Sequence, residues 1–190
     1  LARTLLQTLA PPSREHPLGT DENGRDILVR LIYAARLSLA IAVVAMILST
    51  GVGASLGGIA GYFGRLPDAV IMRVTDALMA VPIFFLLLAV LTLFGSTPAK
   101  ITAVIGLTSW MTVSRVVRGE VRRVKAISFV EAARAGGASD ARIFARHILP
   151  QAVPSIIVAA TLGVAYAILM ETALSYLGLG VQPPRPSLGS

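Results

Sequence analysis

The sequence predicts an all-α polytopic membrane helix bundle. Of its 190 residues 55% are hydrophobic and 14% charged, and the mean hydropathy is +0.75, outside the balance of a water-soluble domain. The apolar residues gather in four runs, each a candidate crossing of a hydrocarbon layer of about 30 Å. Most Lys and Arg residues lie in the short stretches between those runs, the pattern that orients membrane proteins. The formal charge of +7 could suit nucleic acid, but no aromatic platforms interleave with the basic residues, so a lipid bilayer, and no nucleic acid, is the expected partner.

The first span is expected over about Leu37–Ile59, which is uncharged throughout. Before it, "TDENGRDILVRLIYAAR" reads as an amphipathic helix with Thr20 or Asp21 as cap and Ile27, Leu28, Leu31, Ile32 and Ala35 on one face. It is expected to lie along the external interface. Within the span, Gly53, Gly57 and Gly61 recur every four residues, so a second helix can approach closely.

The second span, about Ala69–Phe94, carries Arg73 and Asp76 near its start. A charge at mid-span costs roughly 2.5 to 3.5 kcal/mol, and each large apolar residue returns roughly 0.3 to 0.6 kcal/mol. The run from Ile83 to Phe94 therefore carries the segment into the bilayer. Arg73 and Asp76 are spaced i,i+3 and can pair; the reading adopted is a structural pair facing other helices, with a functional intramembrane charge as the alternative.

The third span, about Ile101–Val117, ends in Arg115 and Arg118. The fourth, about Pro150–Leu174, has one charge, Glu171, near its far end. Glu171 could line a pathway or satisfy a helix terminus, the latter preferred.

Orientation follows from charge. Between the third and fourth spans lie Arg115, Arg118, Arg122, Arg123, Lys125, Arg134, Arg142 and Arg146, against Glu120, Glu131 and Asp140, so this loop, about residues 119–149, is cytoplasmic. Counting back, "GYFGRLPD" is cytoplasmic and "GSTPAK" external. Residues 1–36 and 176–190 flank the transmembrane domain, 37–175, on the external side. The N-terminal part bears Arg3, Arg14, Arg25, Arg30 and Arg36, offset in part by Glu15, Asp21, Glu22 and Asp26.

Cysteine is absent, which excludes disulfides, thiolate metal sites and Cys nucleophiles. His16 and His147, on opposite sides in this topology, cannot share a metal or acid–base site. A membrane-embedded enzyme therefore lacks its groups, and no cofactor or metal is expected on the chain. A secondary transporter or channel would need intramembrane charges or broken helices; only Arg73, Asp76 and Glu171 qualify, with Pro82 as one kink.

The loop "SFVEAARAGGASDARIFARHILPQAVPS" interrupts this apolar pattern. "SFVEAARA" forms helix, Gly136-Gly137 permits a sharp break, and Ser139 or Asp140 can cap a second helix, "ARIFARHIL", ending where Pro150 opens the next span. Ala132, Ala133 and Ala135 give a low-relief surface, and Ile143, Phe144 and Ile148 give apolar anchors. From the residues alone, docking into a cleft of a cytosolic partner and packing against the chain's own bundle are both open.

Glu131-Ala132-Ala133, then Gly137, then His147-Ile148-Leu149-Pro150 resembles the EAA loop of binding-protein-dependent ABC importer permeases. In place of the Ile common two positions before Leu-Pro stands His147, and "RHILP" is similar to the dipeptide, oligopeptide and nickel branch. "HPLGTDENGRDILVRLIYAARLSLAIA" and "ETALSYLGLGVQPPRPSLGS" resemble segments of that branch's second permease. The resemblance implies a six-helix subunit of which the four spans are the second to fifth, the sequence being an excerpt with a truncated external loop. It also implies a site at Glu131, Ala132, Ala133, Ala135, Gly136, Gly137, Asp140, His147, Leu149 and Pro150 that couples to a separate ATPase. The implied partners are a second permease, in a heterodimer, two cytosolic ATP-binding subunits that hold ATP and Mg, and an external solute-binding protein. The chain itself has no nucleotide-binding Gly-Lys-Ser/Thr loop. The implied activity is import of di- and oligopeptides, or of nickel or another small solute, across the bacterial inner membrane by alternating access.

Overall fold

Seven α-helices and one π-helical turn make up the ordered path of the computed structural model, which describes residues 8–182 and 185–189. Arg3 of the sequence analysis lies outside the described residues. In chain order the helices are α1 (Ile27–Phe63), α2 (Arg65–Met79), α3 (Ile83–Phe94), α4 (Pro98–Lys125), α5 (Ser128–Ala135) and α6 (Asp140–Ile143). The π turn Phe144–Ile148 then leads into α7 (Leu149–Tyr176).

α1 absorbs two predicted elements. The segment expected to lie along the interface is continuous with the first span, giving one helix of 37 residues, about 55 Å at 1.5 Å per residue. Its cap is neither Thr20 nor Asp21 but Asp26, whose Oδ1 accepts the Val29 N–H at 3.0 Å. Asp21 instead binds Arg25 at 3.0 Å and Arg30 at 2.7 Å, holding the preceding turn against the helix. Nothing between Ile27 and Leu37 breaks the helical ladder, so the backbone runs straight through the change in polarity.

Gly53, Gly57 and Gly61 seat α1 on α4. A Cβ at these positions would run into the backbone carbonyls of Trp110, Ser114 and Arg118 respectively. Both series advance by four, so one row of backbone meets one row of glycines. α7 closes the bundle against both, with Gly163 lying under the Met46 side chain. One apolar cluster, including Ile41, Leu87, Leu91, Ile101, Ile105 and Leu174, fills one half of the bundle. A second, including Met46, Val113, Val117, Val121, Ile143 and Ile148, fills the other.

The second span is not one straight helix. α2 and α3 meet at 74° across residues 80–82, where Pro82 has no N–H to continue the ladder and its carbonyl accepts the Phe85 and Leu86 N–H groups instead. α1 and the run Asp140–Tyr176 are each long and apolar enough to cross a bilayer, and the bent pair makes a third candidate. α4 is long enough at 28 residues but ends in the basic stretch Arg115–Lys125, because the helix continues past the expected end at Val117.

Arg73 and Asp76 do not form the expected pair. Asp76 is bound by Arg115 of α4 at 2.5 Å, and both Arg73 and Asp76 are exposed. Deeper between α2 and α4, Arg118 grips Asp68 with two guanidinium nitrogens, one at 2.8 Å, and Arg122 lies 3.3 Å away. The bidentate grip fixes the angle between α2 and α4 as well as their charge pairing.

Candidate functional site

The loop between α4 and α7 is a built element with two faces. Val130, Ile143 and Ile148 are fully buried against Val121 and Val124 at the end of α4. Glu131, Ala132, Ala135, Gly136 and Gly137 are exposed, and Ala133 is half-buried. Of the alternatives left open by the residues, packing against the bundle is seen on one face, and the other face presents small side chains and one carboxylate to the outside. α5 ends at Ala135, and the reversal is made by Gly137 at φ +80°, a conformation that costs a Cβ-bearing residue about 1–2 kcal/mol.

The second half of the loop does not stop at Pro150. α6, the π turn and α7 run on as one path, Asp140–Tyr176. Pro150 cannot donate into a regular α ladder, and the π turn immediately before it, in which the Leu149 N–H reaches the Phe144 carbonyl, takes up that mismatch. Leu149 and Pro150 are exposed at the start of α7, and the half-buried His147 lies beside Phe129, ring centroids 6.2 Å apart. His16, at the far end of the bundle, binds Asp26 at 2.8 Å.

Asp140 caps nothing with its side chain; it receives the Tyr62 hydroxyl at 2.5 Å and lies 3.5 Å from Arg134. Tyr62 is the residue that sequence reading missed. Its ring packs edge-on against Phe144, centroids 5.6 Å apart, and Lys125 lies over it at 5.0 Å while donating to its carbonyl. One aromatic at the end of α1 thus joins the end of α4 to both halves of the loop. The only sequence signal was an aromatic pair closing a small-residue helix, "GIAGYF", which by itself names no partner.

Glu171 lies at the opposite end, fully buried. Its Oε2 accepts the Ser38 hydroxyl at 2.8 Å and its Oε1 the Ser175 hydroxyl at 2.7 Å. Through these two bonds it ties α1 to α7.

With this geometry in place, comparison with known proteins decides the family. The family described as binding-protein-dependent transport system inner membrane component matches residues 53–190, a stretch that contains the whole two-faced loop. The chain belongs to this family. It is 37% identical over 187 residues to the dipeptide transport system permease protein DppC of Bacillus subtilis, covering 98% of this chain and 58% of the relative. It is 39% identical over 186 residues to the oligopeptide transport system permease protein OppC of the same organism, covering 98% and 61%. The glutathione transport system permease protein GsiD of Pectobacterium atrosepticum is 38% identical over 179 residues, covering 94% and 60%. The chain thus spans about three-fifths of the length of these relatives. Among solved structures, an inward-facing MetNI methionine ABC transporter matches with a TM-score of 0.68 at 17% identity, covering 82% of this chain and 77% of that one. The ABC permease fold is therefore common to both.

Proposed function

We propose that this chain is the core of a permease subunit in an ATP-driven, binding-protein-dependent importer of di- and oligopeptides, multi-pass in the bacterial inner membrane. The carrying observation is the exposed face Glu131–Gly137, mounted on a loop whose other half is continuous with α7. Small side chains around a rigid turn suit insertion into a cleft, and the apolar underside keeps the element from folding away. The peptide solute is supported by relatives named for dipeptide, oligopeptide and glutathione transport; nickel or another small solute is the alternative within the same machine.

The chain supplies no catalytic group of its own in this reading. ATP and Mg are held by two cytosolic ATPase subunits, a second permease completes the pathway as a heterodimer, and an external binding protein delivers solute. When ATP closes the ATPase dimer, the cleft drags the loop. The displacement enters α7 directly through the π turn and α1 through Tyr62. Such a lever works because packed helices shift as bodies rather than deforming continuously.

The absence of cysteine from these 190 residues simplifies the test. Ala135→Cys in the full-length protein, treated with a thiol crosslinker in inside-out membranes, is expected to form an adduct with an ATP-binding subunit whose yield changes when ATP is added. An accessible thiol with the ATPase present but no adduct would reduce the loop to a packing element and favour a secondary transporter.

A further inference from the structure

Glu171 is a buried carboxylate for which the coupling reading has no use. Burying a carboxylate is costly unless its oxygens are satisfied, and among the described residues no cation pairs with it. If packing alone mattered, a leucine would serve this position at least as well. The hydrogen bonds around it indicate what the carboxylate adds.

Ser38, which donates to Glu171, also accepts the Leu188 N–H at 3.2 Å. Ser175, the other donor, accepts the Val181 N–H at 3.2 Å and lies 3.1 Å from the Ser187 hydroxyl. Gly180 and Gly189 bring the segment beyond α7 so close that a Cβ on either would strike Ser175 or Thr172. A single carboxylate therefore joins α1, α7 and the chain that folds back over the end of the bundle.

The same two rods are tied at both ends. At the coupling end Tyr62 of α1 binds Asp140 of the α6–α7 run; at the other, Ser38 of α1 binds Glu171 of that run. Asp140 and Glu171 are 31 residues apart on one continuous helical path, about 46 Å by helical rise. We infer that Glu171 is a positioning residue that makes the external segment, residues 178–182 and 185–189, move as one body with α1 and α7, so that displacement of the coupling loop reaches the outer face. This rests on the coupling reading above.

The test uses the full-length protein in its complex, in lipid nanodiscs that leave both faces open. Leu188→Cys is made the only thiol by replacing any cysteine elsewhere in the protein and its partner subunits with serine, and its rate of reaction with a polar maleimide is measured with and without ATP plus vanadate. With Glu171 present the rate is expected to change several-fold on adding nucleotide. Glu171→Ala is expected to abolish that change and to raise the nucleotide-free rate, whereas Glu171→Gln, whose carbonyl still accepts from one serine while its amide donates to the other, retains it. Should Glu171→Ala fail to assemble, Ser38→Ala cuts the α1 limb together with the bond from the Leu188 N–H and carries the same expectation. The inference is overturned if the nucleotide-dependent change survives Glu171→Ala or Ser38→Ala, if Glu171→Gln loses it equally, or if it is absent before substitution. The Ala135→Cys adduct, followed in parallel, separates the two failures: a missing adduct removes the coupling reading and this inference with it, and an intact adduct without the labelling change removes this inference alone.

Discussion

Gly57 fixes how closely α1 and α4 meet, because a Cβ there would enter the Ser114 backbone. Gly57→Val is expected to force the helices apart at a cost of about 1–3 kcal/mol or more, read as a lower thermal midpoint in detergent. Gly137 poses a different constraint. A Cβ there meets nothing within 4 Å, and the restriction is φ +80° alone. Gly137→Asn, tolerant of left-handed backbone, should therefore retain more uptake than Gly137→Leu at equal abundance; equal losses would point to space after all. At Tyr62, substitution by Phe removes only the hydroxyl bound to Asp140, a loss of about 1 kcal/mol that proteolysis of the loop should register as faster cleavage. Asp26 gives a pH dependence. The hydrogen bond from His16, then that from the Val29 N–H, holds its carboxyl below the ordinary value of 3.8. Its contribution to the start of α1 is thus fully present above that value and is lost as pH falls through the lower, folded-state one. Protection of the Val29 amide against exchange, corrected for intrinsic rates, is the measurement.

The loop between α4 and α7 shows how an element acquires two roles from one short sequence. Its apolar anchors, Ile143 and Ile148, were legible as apolar residues in a basic loop, though five positions apart they do not share an α-helical face, and both are buried across the intervening π turn. The continuity into α7 was not, since Pro150 reads as a stop in sequence and only the π turn shows how the ladder passes it. Because Glu131 is exposed on α5, Glu131→Lys is expected to leave insertion and abundance unchanged while lowering transport, checked by uptake in cells against immunoblotted protein. A fall in abundance matching the fall in uptake would assign Glu131 to folding instead. The bend between α2 and α3 makes a similar point: Pro82 was visible as a possible kink, but its 74° size was not.

At the scale of the whole molecule, the two ends of the bundle are chemically distinct. One gathers the α1–α2 turn, the basic end of α4 and the loop between α4 and α7; the other gathers residues 8–26 and the segment after α7. If charge sets orientation, single cysteines at Leu66 and Ala135 should react with impermeant reagent only from the cytoplasmic side, and one at Leu188 only from outside. Reaction of Leu66→Cys and Leu188→Cys from the same side would overturn the topology. The sequence by itself determined the class, the order of apolar runs, the glycine row on α1 and the small side chains of the loop. Each of these is a local matter of hydropathy, spacing or side-chain size. Only the tertiary structure decided that Asp76 binds Arg115 rather than Arg73, that Arg118 grips Asp68, that Tyr62 holds the loop, and that Glu171 ties α1 to α7. These partners lie between 39 and 133 positions apart, and nothing in the spacing of a charge or hydroxyl along its own helix says which distant group packing will bring within hydrogen-bond reach.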